Sequence, residues 1–312
     1  MLRGLVFLAA LLCRPPAGTA ADTVERPFQG VTHIARVETE PRARRIHIVE
    51  IDLSAAGIRL KLTPPGGKRE TVRQTTLDFL KQERAQLGIN AHFFLPFPSA
   101  ETDVDLIGFA ASEGKTFSAF ETPVQSYAIV ADAPALAFDS SNRAAIVHRD
   151  PAFDDGHHIR ESVTVWTAVS GSAQIVTAGA KTIPRYLDGL VLDGLLRPGG
   201  PNAYSNAKSW YDVPQARSAA ALTRDGRTLI LLTVDVRNGS AGMSVGEVAD
   251  MLIGEGAYDA LNLDGGGSTT LAMEDPASHT PRLVNISSDN PRGRSVGSNL
   301  VVFAAPRGSA GR

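Results

Sequence analysis

The stretch from Ala260 to Thr270 reads Ala-Leu-Asn-Leu-Asp-Gly-Gly-Gly-Ser-Thr-Thr. Its apolar start predicts a buried strand from Tyr258 to Leu263, which delivers Asp264 onto three glycines. Glycine adopts positive φ angles and leaves backbone amides uncovered, so such a turn can approach an anion closely. A tight turn in which Asp264 caps local amides fits the same residues. The block has neither the Gly-Lys-Ser/Thr of a P-loop nor the Gly-x-Ser-x-Gly of a nucleophile elbow.

The segment before this block predicts a β-hairpin. Residues 218–223 and 228–236 flank Asp225-Gly226, which is a strong two-residue turn signal. With that turn, Arg217 lies opposite Val234.

The open end of this hairpin gathers charged residues, namely Arg217, Asp235 and Arg237. A register slip of one residue would place Arg217 directly opposite Asp235. In either register we predict that this end lies beside the turn formed by Asn262–Ser268.

The remaining periodicities predict strands and two helices. Residues 31–62 alternate as strands do, and residues 75–87 form a helix that Thr75 or Thr76 caps and Gly88 ends. A capping box at residues 244–247 begins a second amphipathic helix. With no fixed repeat and no linker, these elements predict a single α+β domain over residues 31–304, with a mixed, largely antiparallel β-sheet core and a few flanking helices. Residues 184–212 lack periodicity and form either a long loop over a site or irregular surface.

The composition excludes several classes of protein. The chain has 312 residues, 43% hydrophobic, with a net charge of −2, so neither a disordered chain nor a basic nucleic-acid-binding surface is expected. The one cysteine, Cys13, excludes disulfide scaffolds and cysteine-rich zinc sites. Arginine supplies 25 of the 31 basic residues, and most of that bias is attributed to base composition.

Residues 1–21 have the layout of a secretory signal peptide. Arg3 precedes an apolar run over residues 5–12, and Pro15-Pro16 and small residues follow. That run is too short to span a bilayer, and no other apolar run approaches the roughly 20 residues that a span needs, so no membrane span is expected. The sequence therefore predicts an exported protein, periplasmic or secreted.

Several motifs together resemble the phosphodiester glycosidase family. The similarity extends from Val31 to Phe303. Besides the glycine block, residues 89–94 resemble the family's Asn-Gly-x-Phe-Phe segment, and residues 234–237 resemble its Val-Asp-Gly-Arg. Arg217 and residues 223–226 resemble its Arg-x-Ala-x-Gly strand and Asp-Gly turn. The helix at 242–249 also matches, and Asn285, Arg294 and residues 299–303 resemble its closing segment. Ala91 and Val236 stand where the family has glycines.

The resemblance implies an exported glycoside hydrolase that cleaves a sugar-1-phosphodiester. Arginine binds phosphate bidentately, and glycoside cleavage needs carboxylates at the anomeric carbon. We therefore expect Asp264 and Asp235 as catalytic residues. The expected substrate-binding residues are Asn90, His92, Arg217, Arg237, Asn262, Gly265, Gly266, Gly267, Ser268 and Arg294.

Two other functions fit the sequence. One is a glycosidase acting on a non-phosphorylated polysaccharide, and the other is a non-catalytic glycan-binding protein of exopolysaccharide assembly. In each case the partner is a carbohydrate or sugar phosphate, and the sequence does not define an oligomeric state. We expect no cofactor and no metal. The acidic and histidine-containing tract at residues 154–158 is interpreted as a solvated loop, because adjacent histidines point to opposite faces of a strand.

Overall fold

The computed structural model describes residues 21–120, 132–183, 186–187, 190–191, 213–286 and 290–307. The expected signal peptide, apart from Ala21, lies outside the described residues, as does most of segment 184–212.

The described residues form 25 strands and two α-helices. The helices are α1 (Thr76–Glu83) and α2 (Val245–Gly254), and the strands in chain order are β1 (Ala21–Phe28), β2 (Val31–Glu38), β3 (Arg44–Asp52), β4 (Arg59–Leu62), β5 (Thr71–Val72), β6 (Gln74–Thr75), β7 (Leu87–Asn90), β8 (Phe94–Leu95), β9 (Asp103–Leu106), β10 (Ala110–Ser112), β11 (Lys115–Ser118), β12 (Ala135–Phe138), β13 (Ala144–Val147), β14 (Thr167–Ser170), β15 (Ala173–Thr177), β16 (Ala180–Lys181), β17 (Tyr186–Leu187), β18 (Leu190–Val191), β19 (Arg217–Thr223), β20 (Thr228–Val234), β21 (Ala257–Asn262), β22 (Leu271–Glu274), β23 (Pro281–Leu283), β24 (Ser295–Val296) and β25 (Asn299–Phe303).

Three sheets organise these strands. Sheet A has the order β1-β2-β3-β20-β19-β21-β15-β16, sheet B the order β23-β22-β7-β25-β4, and sheet C the order β11-β10-β14-β12-β13. Smaller pairings join β17 to β18, β24 to β6, and β5 and β8 to β9. In the described residues every strand pair is antiparallel. The expected, largely antiparallel sheet core is confirmed, although no described pair is parallel as a mixed sheet would require. The fold is richer in β-sheet than the α+β expectation, because the described part contains only two α-helices.

Alternating side chains give sheets A and B two apolar faces each, so that α2, sheet A, sheet B and α1 pack as four successive layers. On β3, Val49 and Ile51 pack in the core between sheets A and B, whereas Ile46 and Ile48 pack on the opposite face of sheet A, which α2 covers. Phe79 of α1 packs on the outer face of sheet B. Each fully buried aliphatic or aromatic side chain contributes about 1.5–3 kcal/mol.

The predicted hairpin and capping box are confirmed. Arg217 pairs with Val234, which is the register that a two-residue turn requires. The Ser244 side chain accepts from the Glu247 N–H, and the Glu247 side chain accepts in return from the Ser244 N–H.

The predicted first helix is too long at its C-terminal end. Thr75 caps α1 as expected, but the helix stops at Arg84, whose φ of 54° is left-handed. Gly88 lies inside β7, where a Cβ atom would be 3.2 Å from Thr76 and 3.3 Å from Val301. This glycine serves close packing of α1 on sheet B rather than helix termination.

No helix in the described ranges is long and apolar enough to cross a membrane.

Candidate active site

Asp264 lies where the chain passes from sheet A to sheet B. β21 ends at Asn262, and the next N–H, of Leu263, still donates to the Ser218 carbonyl in sheet A at 2.9 Å. The Asp264 N–H donates instead to the carbonyl of Ala91, which follows β7 of sheet B, also at 2.9 Å. This crossing fixes Asp264 at the end of the core that both sheets share.

The three glycines shape the turn that follows. A Cβ atom on Gly265 would lie 2.9 Å from the Ala216 carbonyl oxygen, so the close approach of the two backbones requires glycine. Gly266 has a φ of 57° and begins one turn of 3-10 helix that contains Gly267 and ends at Ser268.

The expected row of open amides is corrected at two positions of this turn. The Gly266 N–H donates to the carbonyl of Ala216 at 2.7 Å, and the Ser268 N–H donates to the carbonyl of Gly265 at 3.1 Å. These groups hold the turn in shape and are not available to an anion.

The Asp264 carboxyl has the electrostatics of an acid–base group. Burial raises its pKa to about 7, opposed by the Ser268 hydrogen bond, the positive charge of Arg294 and the Gly265 N–H. Arg294 Nη1 donates to Ser268 Oγ at 3.3 Å, so arginine, serine and aspartate form a chain of contacts. A carboxyl group that titrates near neutral pH can both accept and donate a proton there.

Arg217 lies against the same turn. Its side chain is 6% exposed, and its Nε and Nη2 atoms donate to the carbonyls of Met243 (3.2 Å) and Val213 (2.9 Å). Burial lowers its pKa to about 10, so the guanidinium is still charged at neutral pH. The Cβ position of Gly265 would be 3.7 Å from the Arg217 Cα atom. The predicted proximity of the hairpin end to the glycine turn is therefore confirmed.

Asn90 joins three segments of the site beneath Asp264. Its Nδ2 atom donates to the Asp264 carbonyl at 2.6 Å, and its Oδ1 atom accepts from the Ser218 hydroxyl (2.7 Å) and the Thr270 N–H (3.0 Å). The side chain is fully buried. These hydrogen bonds tie the turn to β7 and β19.

Asn262 presents a buried acceptor close to the turn. Its Nδ2 atom donates to the Ser172 hydroxyl at 2.9 Å and to the Leu263 carbonyl at 3.0 Å. Its Oδ1 atom is buried and has no hydrogen-bond partner in the described part of the chain. Because an unsatisfied buried acceptor costs about 1–3 kcal/mol, a donor that reaches this atom would be bound favourably.

Asp235 is buried at the end of β20 and is held by Asn285. Asn285 Nδ2 donates to one carboxylate oxygen at 2.9 Å, and the Ile286 N–H donates to the other at 3.2 Å. Asn285 also contacts the backbones of Thr269 (3.1 Å) and Leu271 (2.6 Å). Asp235 is thus linked to the glycine turn through an amide bridge.

The comparison with protein families decides the classification. Residues 84–303 match the family described as phosphodiester glycosidase. The chain belongs to this family.

Solved structures share the fold of this phosphodiester glycosidase family member. A Burkholderia pseudomallei protein, provisionally named as exported, is 14% identical with a TM-score of 0.59, and the match covers 97% of this chain and 100% of that one. The zebrafish N-acetylglucosamine-1-phosphodiester alpha-N-acetylglucosaminidase catalytic domain, described as auto-inhibited by its pro-peptide, is 18% identical with a TM-score of 0.57, covering 95% and 86%. A hypothetical protein of Synechocystis is 19% identical with a TM-score of 0.55, covering 93% and 69%. A comparison with curated protein sequences finds no match.

Two expected site residues of this phosphodiester glycosidase family member have no side-chain hydrogen bond to Asp264, Ser268 or Arg294 in the described part of the chain. His92 is fully buried, where its Nδ1 atom contacts the Ser298 hydroxyl at 2.8 Å and its Nε2 atom accepts from the Ser170 N–H at 2.9 Å. Burial lowers its pKa to about 4, so the ring is neutral at pH 7. Arg237 is exposed after β20, and its carbonyl accepts from Ser240 at 3.1 Å.

The two departures from the family's glycines leave the backbone unstrained. Neither Ala91 nor Val236 has a positive φ. Between β20 and α2 the positive φ angles fall on Asn238 (52°), Gly239 (78°) and Gly242 (71°).

Sequence reasoning did not include Asn285 or Phe97 among the site residues. Asn285 holds Asp235, and its place in the closing segment of the family resemblance was the signal that could have found it. Phe97 packs under the Arg294 guanidinium, whose Cζ atom lies 4.7 Å from the ring centroid. No local pattern in the sequence indicates this contact. Among the described residues, no group of three or more histidine, cysteine or acidic side chains is arranged to hold a metal ion.

Proposed function

We propose that this protein hydrolyses the bond between a sugar and phosphate in a sugar-1-phosphodiester. The observation that carries the proposal is the buried Asp264 carboxyl, with a pKa of about 7, in contact with Ser268 and the charge of Arg294. Membership of the phosphodiester glycosidase family supports the same reaction class.

In this proposal each site residue has a separate role. Asp264 acts at the anomeric carbon, and Arg294 binds the phosphate, because a planar guanidinium matches phosphate oxygens bidentately. Arg217 supplies positive potential from beneath the turn, where a low dielectric strengthens its effect. The unpaired Asn262 Oδ1 atom is an acceptor for a sugar hydroxyl. Asp235 and Asn90 hold the turn.

The atoms of the proposed reaction balance with water as the co-substrate. Water attacks the anomeric carbon, and its proton passes to the Asp264 carboxylate. The glycosidic C–O bond breaks, and its electron pair leaves with the phosphate monoester. Phosphate is a good leaving group, so the demand on a separate general acid is small. An alternative route, in which Asp264 itself attacks the carbon, uses the same residue.

We further propose that the reaction takes place outside the cytoplasm, in the periplasm or after secretion, on envelope or extracellular glycans. The signal-peptide pattern of residues 1–21 supports this location, as does the name of the Burkholderia relative. The zebrafish relative acts on an N-acetylglucosamine-1-phosphodiester, so this substrate heads the list to be tested.

The test compares purified protein on a panel of sugar-1-phosphodiesters and p-nitrophenyl glycosides, with the phosphate-containing product identified. We expect release of a phosphate monoester from at least one diester and its loss in Asp264→Asn. The matched control is Asp250→Asn, which removes an exposed carboxylate of α2. Turnover of aryl glycosides alone would favour the ordinary glycosidase. Glycan binding without turnover would favour the non-catalytic protein.

A further inference from the structure

The side chains of Arg73, Phe94, Phe97 and Arg294 contact one another in that order, and this row, here called the ladder, ends at the candidate site. The Arg73 Cζ atom lies 5.1 Å from the Phe94 ring centroid, and the Phe94 and Phe97 rings meet edge to face at 5.5 Å. The Arg294 Cζ atom lies 4.7 Å from the Phe97 ring centroid. Cations and aromatic rings therefore alternate in the order cation, ring, ring, cation.

Arg73, at the end of the ladder away from Asp264, is hydrogen-bonded to the segment that follows Arg294 and to the segment that follows Phe97. Arg73 donates through Nε (3.2 Å) and Nη2 (3.0 Å) to the carbonyl of Ser295, the residue next to Arg294. Its Nη1 atom donates to the carbonyl of Ser99 at 2.9 Å, just beyond Phe97. A single guanidinium thus ties the segment that carries the ring to the segment that carries the second cation.

The near end of the ladder contacts the reacting group through one serine. Arg294 is half-buried and donates to Ser268 Oγ, and that hydroxyl is bonded to Asp264. An arginine side chain has several rotatable bonds, and the 3.3 Å hydrogen bond to Ser268 constrains only its Nη1 atom. The flat face of an aromatic ring restricts the guanidinium to one plane and attracts its charge.

We propose that Phe97 is a positioning residue for Arg294, holding the guanidinium in the plane from which it reaches Ser268 and the phosphate of the substrate. The phosphate part of this inference rests on the proposed function, whereas the placement of Arg294 does not. Arg73 is the distal anchor of the same device.

The decisive variant is Phe97→Leu, which keeps an apolar side chain and removes the aromatic face. Phe97→Tyr keeps the face and serves as the rescue. The matched control is Phe303→Leu, because Phe303 has the same kind of contact with Arg59, at 4.3 Å, at the end of β25 away from Asn299. Phe97→Met replaces the leucine variant if the latter does not fold, as judged by thermal unfolding.

The first measurement needs no substrate. The Asp264 carboxyl is titrated by carbon-detected NMR in protein labelled at aspartate, and its resonance is identified by its absence in Asp264→Asn. If Phe97 holds Arg294, its loss weakens the positive charge near Asp264, and the pKa of Asp264 rises by about half a unit. Phe97→Tyr and Phe303→Leu keep the wild-type value. An unchanged titration in folded Phe97→Leu and Phe97→Met overturns the proposal.

The second measurement uses turnover with inorganic phosphate as the probe. We expect Phe97→Leu to weaken competitive inhibition by phosphate about fivefold and to lower kcat/KM for a sugar-1-phosphodiester by a similar factor. A shifted titration in protein that turns over no diester would support the placement of Arg294 and refute the proposed function. Normal turnover and phosphate inhibition with an unshifted titration would refute the role of Phe97 and leave the proposed function standing.

Discussion

Asp264 and Asp235 are two buried aspartates at the same end of the fold, and they differ in what holds them. Fixed groups, the Asn285 amide and the Ile286 N–H, donate to both Asp235 oxygens. Asp264 is bonded instead to a serine hydroxyl that is itself in contact with an arginine. Burial raises the pKa of both carboxyls. The hydrogen-bond partners therefore differ although both carboxyls are buried, and on this difference we base the proposal that Asp235 supports the turn and Asp264 carries the chemistry.

The largest effect is expected when Asp264 is changed. Asp264→Asn removes the group that exchanges the proton, so we expect kcat/KM on a sugar-1-phosphodiester to fall by about 10³-fold or more. Steady-state kinetics on protein with a normal circular dichroism spectrum checks this. If the variant retains activity, Asp264 has no catalytic role and the proposed contrast with Asp235 is wrong.

Changing Asp235 is expected to affect stability first. Asp235→Ala removes one acceptor of the buried Asn285 amide, which keeps its bond to the Thr269 carbonyl, and the acceptor of the Ile286 N–H. We expect a cost of about 1–3 kcal/mol in the free energy of unfolding. Urea unfolding at pH 7 measures the cost. At a temperature where the variant is folded, turnover should persist. Lost turnover with unchanged stability would make Asp235 catalytic after all.

The pH dependence of the free energy of unfolding tests directly whether the pKa of Asp264 is raised in the folded protein. Its pKa in the folded state, about 7, lies above the ordinary value of 3.8, so the folded protein binds more protons between these limits. Its contribution to stability therefore falls as the pH rises through that window. Asp264→Asn lacks this penalty, so its stability relative to wild type should improve by on the order of 2 kcal/mol from pH 5 to pH 8. Urea titrations of both proteins test it, and a difference independent of pH would contradict the raised pKa.

The smallest effect is expected at Arg237. Its side chain is exposed after β20, so Arg237→Ala should change kcat/KM by less than about twofold. Arg217→Met is the informative partner, because it removes a buried charge at the other strand of the same hairpin end. Equal losses in both variants would show that Arg237 reaches the substrate.

Much of the fold could be predicted from local signals in the sequence. The Asp-Gly turn and strand alternation define the hairpin register, because both act between neighbouring residues. Gly88 was misread as a helix stop because its purpose, close packing between α1 and β25, depends on residues far away in sequence.

The candidate site could be predicted only in part. The glycine block singles out Asp264, although a tight turn in which Asp264 caps local amides fits the same residues. The contacts of Asn90, His92 and Asp235 could not be predicted from residue type, because a buried polar side chain that lines a pocket and one that ties backbones together look alike in sequence. Only the partners distinguish them, as the fully satisfied amide of Asn90 shows.

The crossing of the chain from sheet A to sheet B at Leu263 and Asp264 has a consequence for folding. Asn90 and the Asp264 carbonyl that it binds are 174 residues apart in sequence. Contacts of such separation form slowly, because a long loop must close before they contribute any stability. Neither sheet can assemble the site alone, so recovered activity in a refolding experiment reports the docking of the two sheets and not merely the formation of either.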